Sequence, residues 1–199
     1  MANFNQRSIT DFRSRMTGGG ARANLFEVEI TFPDELTIVT STVSDKVPFL
    51  VKAAEIPASN LGNIPVPYRG RVLPIAGDRT FDPWTVTVIN DTNFKIRDAM
   101  EKWSNLINDL QTSQGEINPE EYQTAAFVKQ LSREGGDNPG PIDILREYRF
   151  EGIYPNVVSS IPLDYGATDQ IEEFQVTFNY LFYSVPSGST VTSAGGSLI

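Results

Sequence analysis

The sequence predicts a mainly β protein of the α+β kind, an antiparallel β-sandwich or barrel flanked by one main α-helix. Apolar and polar residues alternate with period two in several segments, which marks strands buried on one face and wet on the other. Thirteen prolines and fifteen glycines punctuate the chain, so the elements between them are expected to be short. A single long segment departs from this rule and repeats its apolar residues at helical spacing.

Taken in order, residues 1–20 read as a flexible N-terminal arm ending in the joint Gly18-Gly19-Gly20. Asn24 to Phe32 then places Phe26, Val28, Ile30 and Phe32 on one face and Glu27, Glu29 and Thr31 on the other. Shorter strands are expected at Phe49 to Ala54 and Arg69 to Leu73. Trp84 to Ile89 alternates again, with Trp84, Val86 and Val88 opposed to Thr85 and Thr87. From Phe94 to Leu110, Ile96, Ala99, Met100, Trp103, Leu106, Ile107 and Leu110 recur at steps of three and four. Asp91, Thr92 and Asn93 offer a cap and Gly115 lies beyond the end, which together define an amphipathic helix. Asn118-Pro119-Glu120-Glu121 reads as a single helical turn leading into a strand at Ala126 to Arg133. Gly135 to Gly140 suits a hairpin loop before a strand at Ile144 to Gly152. Glu173 to Tyr183 is the longest alternation, with Phe174, Val176, Phe178, Tyr180 and Phe182 set against Glu173, Gln175, Thr177 and Asn179. Residues 186–199 are rich in Ser, Gly and Thr and read as a flexible tail, leaving 21–185 as one folded domain.

Composition removes whole classes of chemistry. The 199 residues include no cysteine and no histidine. Disulfides, thiolate metal sites, Ser-His-Asp triads and imidazole bases are therefore excluded. A net charge of −9 disfavours a phosphate-gripping groove, which needs clustered Lys and Arg. No apolar run reaches the length of a membrane span, and the first sixteen residues lack the apolar core of a secretion signal. No Gly-Lys-Ser/Thr tripeptide accompanies the glycines, so there is no phosphate loop. Asp78 with Asp82, and Asp164 and Asp169 with Glu172 and Glu173, are the carboxylate groupings a small glycoside hydrolase would use. As loop carboxylates beside arginine or at caps, they have a plainer reading. No cofactor or metal is expected. Long half-wet strands with few edge lysines suit a self-assembling subunit, because free sheet edges invite pairing.

Four collinear stretches carry a resemblance. They are Ala76-Gly77-Asp78-Arg79-Thr80-Phe81-Asp82-Pro83-Trp84 and its continuation to Asp91, Ala23 to Ile30, Phe150 to Pro155, and Ile171 to Phe178. Over about Ala21 to Tyr183 the chain resembles the tail tube proteins of T-even-like contractile bacteriophages, whose fold is related to the Hcp tube protein of type VI secretion. Departures from the pattern are the longer segment Pro33 to Pro48 and the tail beyond Pro186.

The resemblance implies a virion protein assembled in the host cytoplasm. Six copies would join edge to edge into a ring, and rings would stack into a hollow tube. Implied partners are further copies of the chain, the tail sheath, a tape-measure protein, the baseplate hub and the tail terminator. DNA would pass through without specific binding, and no membrane is involved. Related possibilities are a baseplate tube-initiating ring or the inner tube of a contractile injection system. A bore for DNA should not anchor phosphates, so Glu27, Glu29, Glu173, Gln175, Thr177 and Asn179 are the candidates for lining it. Some of these would instead pair with Arg69, Arg71 or Arg149 across subunits. Gly77 and Asp78 are expected to set a tight loop, with Arg79 pairing an acid and Asp82 beside it as an inter-subunit contact.

Overall fold

The computed structural model describes residues 9–16, 20–36, 43–133 and 144–186. The expected hairpin loop at 135–140, the tail from 187, and residues 1–8 and 17–19 of the arm lie outside these. So do residues 37–42 of the long segment after Pro33.

Nine strands are found among the described residues: β1 (Phe26–Ile30), β2 (Val51–Ala54), β3 (Asn60–Tyr68), β4 (Arg71–Thr80), β5 (Trp84–Ile89), β6 (Thr124–Leu131), β7 (Ile144–Val158), β8 (Glu173–Asn179) and β9 (Phe182–Ser184). The helices are α1 (Ile9–Arg15), α2 (Val47–Leu50), α3 (Lys95–Ile107) and α4 (Pro119–Tyr122). Seven strands form one antiparallel sheet in the order β1-β6-β7-β8-β5-β2, with β9 also on β7; β3 and β4 form a separate hairpin. The sheet does not close into a barrel within one chain: β1 and β2 are its ends.

The sheet folds on itself through β7. Its first half pairs with β6 and β9, and its second half pairs with β8. Gly152 lies at the turnover, at a φ of +64°. A side chain there would meet Leu181 at 2.7 Å. Alternation does what the sequence suggests. Trp84, Val86 and Val88 of β5 stand opposite Phe178, Val176 and Phe174 of β8, and all six are buried. Val28 and Ile30 of β1 stand opposite Val128 and Ala126 of β6, also buried. The two inner faces meet where the Trp84 ring stacks on Phe150, centroids 4.5 Å apart.

Helix α3 supplies Ile96, Ala99, Met100 and Trp103 to the same core. Trp103 lies edge-on to Phe32 and donates its indole N–H to the Tyr122 carbonyl at 2.8 Å. A buried indole keeps its polar handle satisfied in this way. The α3 start is held by Asp91, whose Oδ1 accepts from the Asn93 and Lys95 backbone N–H groups. Asp91 also forms an ion pair with Lys46. Asn118 caps α4 by accepting from the Glu120 N–H, so the expected single turn before β6 is present. No helix among the described residues is long and apolar enough to cross a membrane.

Several sequence expectations are corrected. The Glu173–Tyr183 strand is interrupted at Tyr180 and Leu181, because its partner β7 bends at Gly152 opposite them. Pro155 does not end β7; it sits beside a register irregularity between positions 155 and 157, where a strand tolerates a missing N–H. Phe49 belongs to α2 rather than to the following strand, and Ile9–Arg15 of the arm is helical. The largest difference is the β3–β4 hairpin. Arg69 and Gly70, expected as the first two residues of a short strand, are its two turn residues, both with positive φ, the backbone a two-residue hairpin turn requires.

Candidate assembly site

Strands β3 and β4 leave the sheet between β2 and β5 and run out as a two-stranded ribbon, roughly 30 Å long for nine or ten residues a side. Apart from Asn60 and Gly77, every residue of the two strands is exposed. Paired positions put Ile64, Val66, Tyr68, Leu73 and Ile75 on one face, and Pro65, Pro67, Val72 and Pro74 on the other. Val72 and Leu73 are 62% and 60% exposed. An isolated hairpin is marginal in water, and this one is apolar on both faces. Among the described residues nothing covers it, and so large an exposed apolar surface is the kind that an interaction buries.

The two edges of the ribbon differ. Counting outward from the Tyr68↔Arg71 pair that closes the turn, Pro67, Pro65 and Pro74 fall at the pairs whose backbone groups point away from the partner strand. Their missing N–H groups cost the ribbon no internal bond, which is why proline is accepted inside these strands. The outer edge of β3 thereby lacks donors at two successive outward positions. The outer edge of β4 lacks one.

The expected tight loop at Gly77 and Asp78 is not there: both lie within β4, as does Arg79. A register shift sets Gly77 and Asp78 opposite Gly62 alone, the extra residue of a β-bulge at the ribbon's root. Arg79 donates to the Ser59 hydroxyl at 3.2 Å, and Asp82 accepts from the Asn60 amide. Both contacts tie the root together within the chain.

The bore candidates occupy two surfaces. Glu27 and Glu29 lie on the outward face of the β1-β6-β7 half. Glu173, Gln175, Thr177 and Asn179 lie on the outward face of the β8-β5-β2 half. Both halves turn their inner faces to one core, so these outward faces look away from each other. Sequence reasoning missed their basic partners. Glu29 pairs with Lys129 of β6, and Glu173 with Lys52 of β2 at 2.5 Å. Arg149 pairs with Glu151 of its own strand at 2.7 Å and lies over the Phe127 ring. Arg69 lies over the neighbouring Tyr68 ring. Lys129 was legible as the alternate-face residue of a strand whose neighbour carries Glu27 and Glu29.

The second half's face is almost uncharged. Thr85 and Thr87 of β5 stand beside Thr177 and Gln175, and the Thr85 and Thr177 hydroxyls are 3.1 Å apart. By contrast, the first half's face holds a groove of about 690 Å³ beside β1 and α2, lined in part by Glu27, Glu29, Asp34, Asp45, Phe49 and Phe127. A second hollow of about 540 Å³ borders Asp164, Glu172 and Glu173. There Glu172 accepts from the Asn90 amide, Asp164 accepts from the Gly166 N–H, and Glu173 is held by Lys52. These carboxylates are engaged in loop and strand contacts. Among the described residues, no cluster of acidic side chains is suited to holding a metal.

A model of the phage tail tube protein family matches residues 21–186. The chain is similar to the tail tube protein gp19 of Enterobacteria phage T4, at 32% identity over 83% of this chain and 91% of that one. Its fold is similar to that of the anti-feeding prophage tube-terminating cap, with a TM-score of 0.57 at 15% identity, covering 85% and 92% of the two chains. It is also similar to a chain of the sheath–tube complex of an extracellular contractile injection system, PVC, in the extended state. There the TM-score is 0.53 at 12% identity, over 90% and 98%.

Proposed function

Since the chain belongs to the phage tail tube protein family and is a structural subunit of the virion tail rather than an enzyme, we propose that its copies join edge to edge into six-membered rings. The rings stack into a hollow tube assembled in the host cytoplasm, and the genome leaves through it. The observation that carries this reading is the bare β3–β4 ribbon, whose apolar faces need other copies to cover them. The ends of the sheet at β1 and β2, which have no further partner strand among the described residues, support it as well, because ring closure supplies partners to such edges.

Within this tube the face of Thr85, Thr87, Gln175, Thr177 and Asn179 borders the bore. It offers small polar groups, and its one cation among the described residues, Lys52, is tied to Glu173. DNA phosphates find no free Lys or Arg among the described residues of this face to release counterions against. Glu27 and Glu29 fall on the opposite surface, toward neighbouring copies. The sheath, the baseplate hub and the tail terminator bind outside the bore or at its ends, and a tape-measure protein fills it before ejection.

Electron microscopy of the purified protein tests the reading. Stacked rings of constant diameter with a central channel are expected. Monodisperse monomers at high concentration would overturn it.

A further inference from the structure

The ribbon and the body differ in charge. Residues 60–80 hold Arg69, Arg71 and Arg79 against Asp78 alone, a net of +2, so the remainder of the chain carries −11. Arg69 lies in the turn, with Tyr68 and Arg71 on its two sides, and all three are exposed. Neither arginine has an ion-pair partner among the described residues.

The groove beside β1 and α2 has the opposite character. Glu29 is engaged by Lys129, but Glu27, Asp34 and Asp45 are in no ion pair among the described residues. Between them stand Phe49, 85% exposed, and Phe127. A bare phenylalanine sharing a groove with carboxylates in no ion pair is an incomplete surface among the described residues. It calls for an apolar body carrying cations, and a volume of about 690 Å³ suits a few large side chains. No residue of the ribbon tip lines the groove in its own chain.

We propose that the ribbon tip of one copy docks in this groove of a second copy, with Tyr68 against Phe49 and Phe127, and with Arg69 and Arg71 among Glu27, Asp34 and Asp45. This rests on the tube reading and names the receiving surface for its arm. Guanidinium groups suit the task because each presents a planar fork to a carboxylate. The acidic body also steers the basic tip toward it, so docking weakens with added salt.

The cysteine-free chain gives a clean background for the test. Ser44 lines the groove beside Asp45; Arg71→Cys and Ser44→Cys chains are mixed, assembled and oxidised. A disulfide-linked dimer is expected from this mixture, but from neither chain alone nor from Arg71→Cys mixed with Thr112→Cys, an exposed turn position after α3 that does not line the groove. In parallel, Arg69→Glu/Arg71→Glu should keep wild-type circular dichroism, since both residues are exposed. It should raise the concentration needed for assembly about tenfold, with partial rescue by Asp45→Arg. Tubes that form without the Arg71–Ser44 crosslink, or a charge-reversed tip that assembles as wild type, overturn the docking alone. A wild-type chain that forms neither rings nor tubes overturns the tube reading and the docking with it.

Discussion

Gly62 and Gly77 face each other across the bulge at the root of the β3–β4 ribbon, so closely that a Cβ on Gly77 would stand 3.2 Å from the Gly62 carbonyl carbon. A Cβ on Gly62 would in turn meet the Asp78 carbonyl oxygen at 3.1 Å. Neither glycine has a positive φ; close backbone approach is what demands the missing side chain. Gly62→Ala/Gly77→Ala is expected to weaken the ribbon by about 1–3 kcal/mol. Hydrogen exchange should show faster ribbon amides and an unchanged body, because the bulge lies outside the core. Assembly should fall in parallel.

The prolines of β3 guard an edge. Pro65→Thr/Pro67→Thr restores two outward N–H groups on an exposed apolar strand, the arrangement most prone to pairing with other chains. Light scattering should report disordered aggregation in place of regular tubes. Unchanged assembly would mean that the outer edge of β3 is covered by a neighbour and needs no guard.

Lys46 and Asp91 join the segment before α2 to the start of α3. The Lys46 ammonium is the main cause holding the Asp91 carboxyl below its ordinary 3.8, helped by the Lys95 and Asn93 backbone N–H groups and opposed by burial. A carboxyl depressed in the folded state stabilises the protein above its unfolded value, and that contribution is lost as pH falls through the folded one. Asp91→Asn should therefore lower Tm by about 2–4 °C at pH 7, equivalent to about 1 kcal/mol. The gap to wild type should close below about pH 3.8, which thermal unfolding across pH measures directly.

Gly152→Ala tests the turnover of β7. The substitution meets both a left-handed φ of +64° and the Leu181 side chain at 2.7 Å. A loss of about 1–3 kcal/mol is expected by denaturant unfolding. Leu181→Ala in the same chain relieves the clash but not the backbone strain, so it should recover only part of that loss.

The sheet and the main helix were legible because burial writes its period into the chain. Val86 and Val176 face one core and Thr87 and Gln175 face water, and no other arrangement satisfies both. The ribbon was not legible for the same reason. Its apolar residues sit on both faces, so Pro65-Val66-Pro67 shows no alternation and reads as a break. Its turn, Arg69-Gly70, has the right chemistry but lay inside an expected strand. Lys52 was hidden by a bulge between Val51 and Ala53, which swings its side chain across to Glu173. The resemblance, in contrast, was carried by the block from Ala76 to Asp91, which spans the bulge, the ribbon root and β5. The tight loop drawn from its Gly-Asp-Arg failed because a bulge and a turn use the same residue types.

Thr177 of β8 is half-buried beside Thr85 on the nearly uncharged outward face, while Val176 and Phe178 on either side of it point into the core. Thr177→Lys therefore changes the face without touching the packing, and the tube should form with wild-type dimensions. If the face borders the bore, each ring then carries a row of cations facing the DNA, and each contact adds counterion release. Genome ejection should slow, and the slowing should shrink as salt rises. Lys substituted at Glu27, on the outward face of the other half, should leave ejection kinetics alone and disturb assembly instead. The reverse pattern, slow ejection from Glu27→Lys and normal ejection from Thr177→Lys, would assign the bore to the β1-β6-β7 surface.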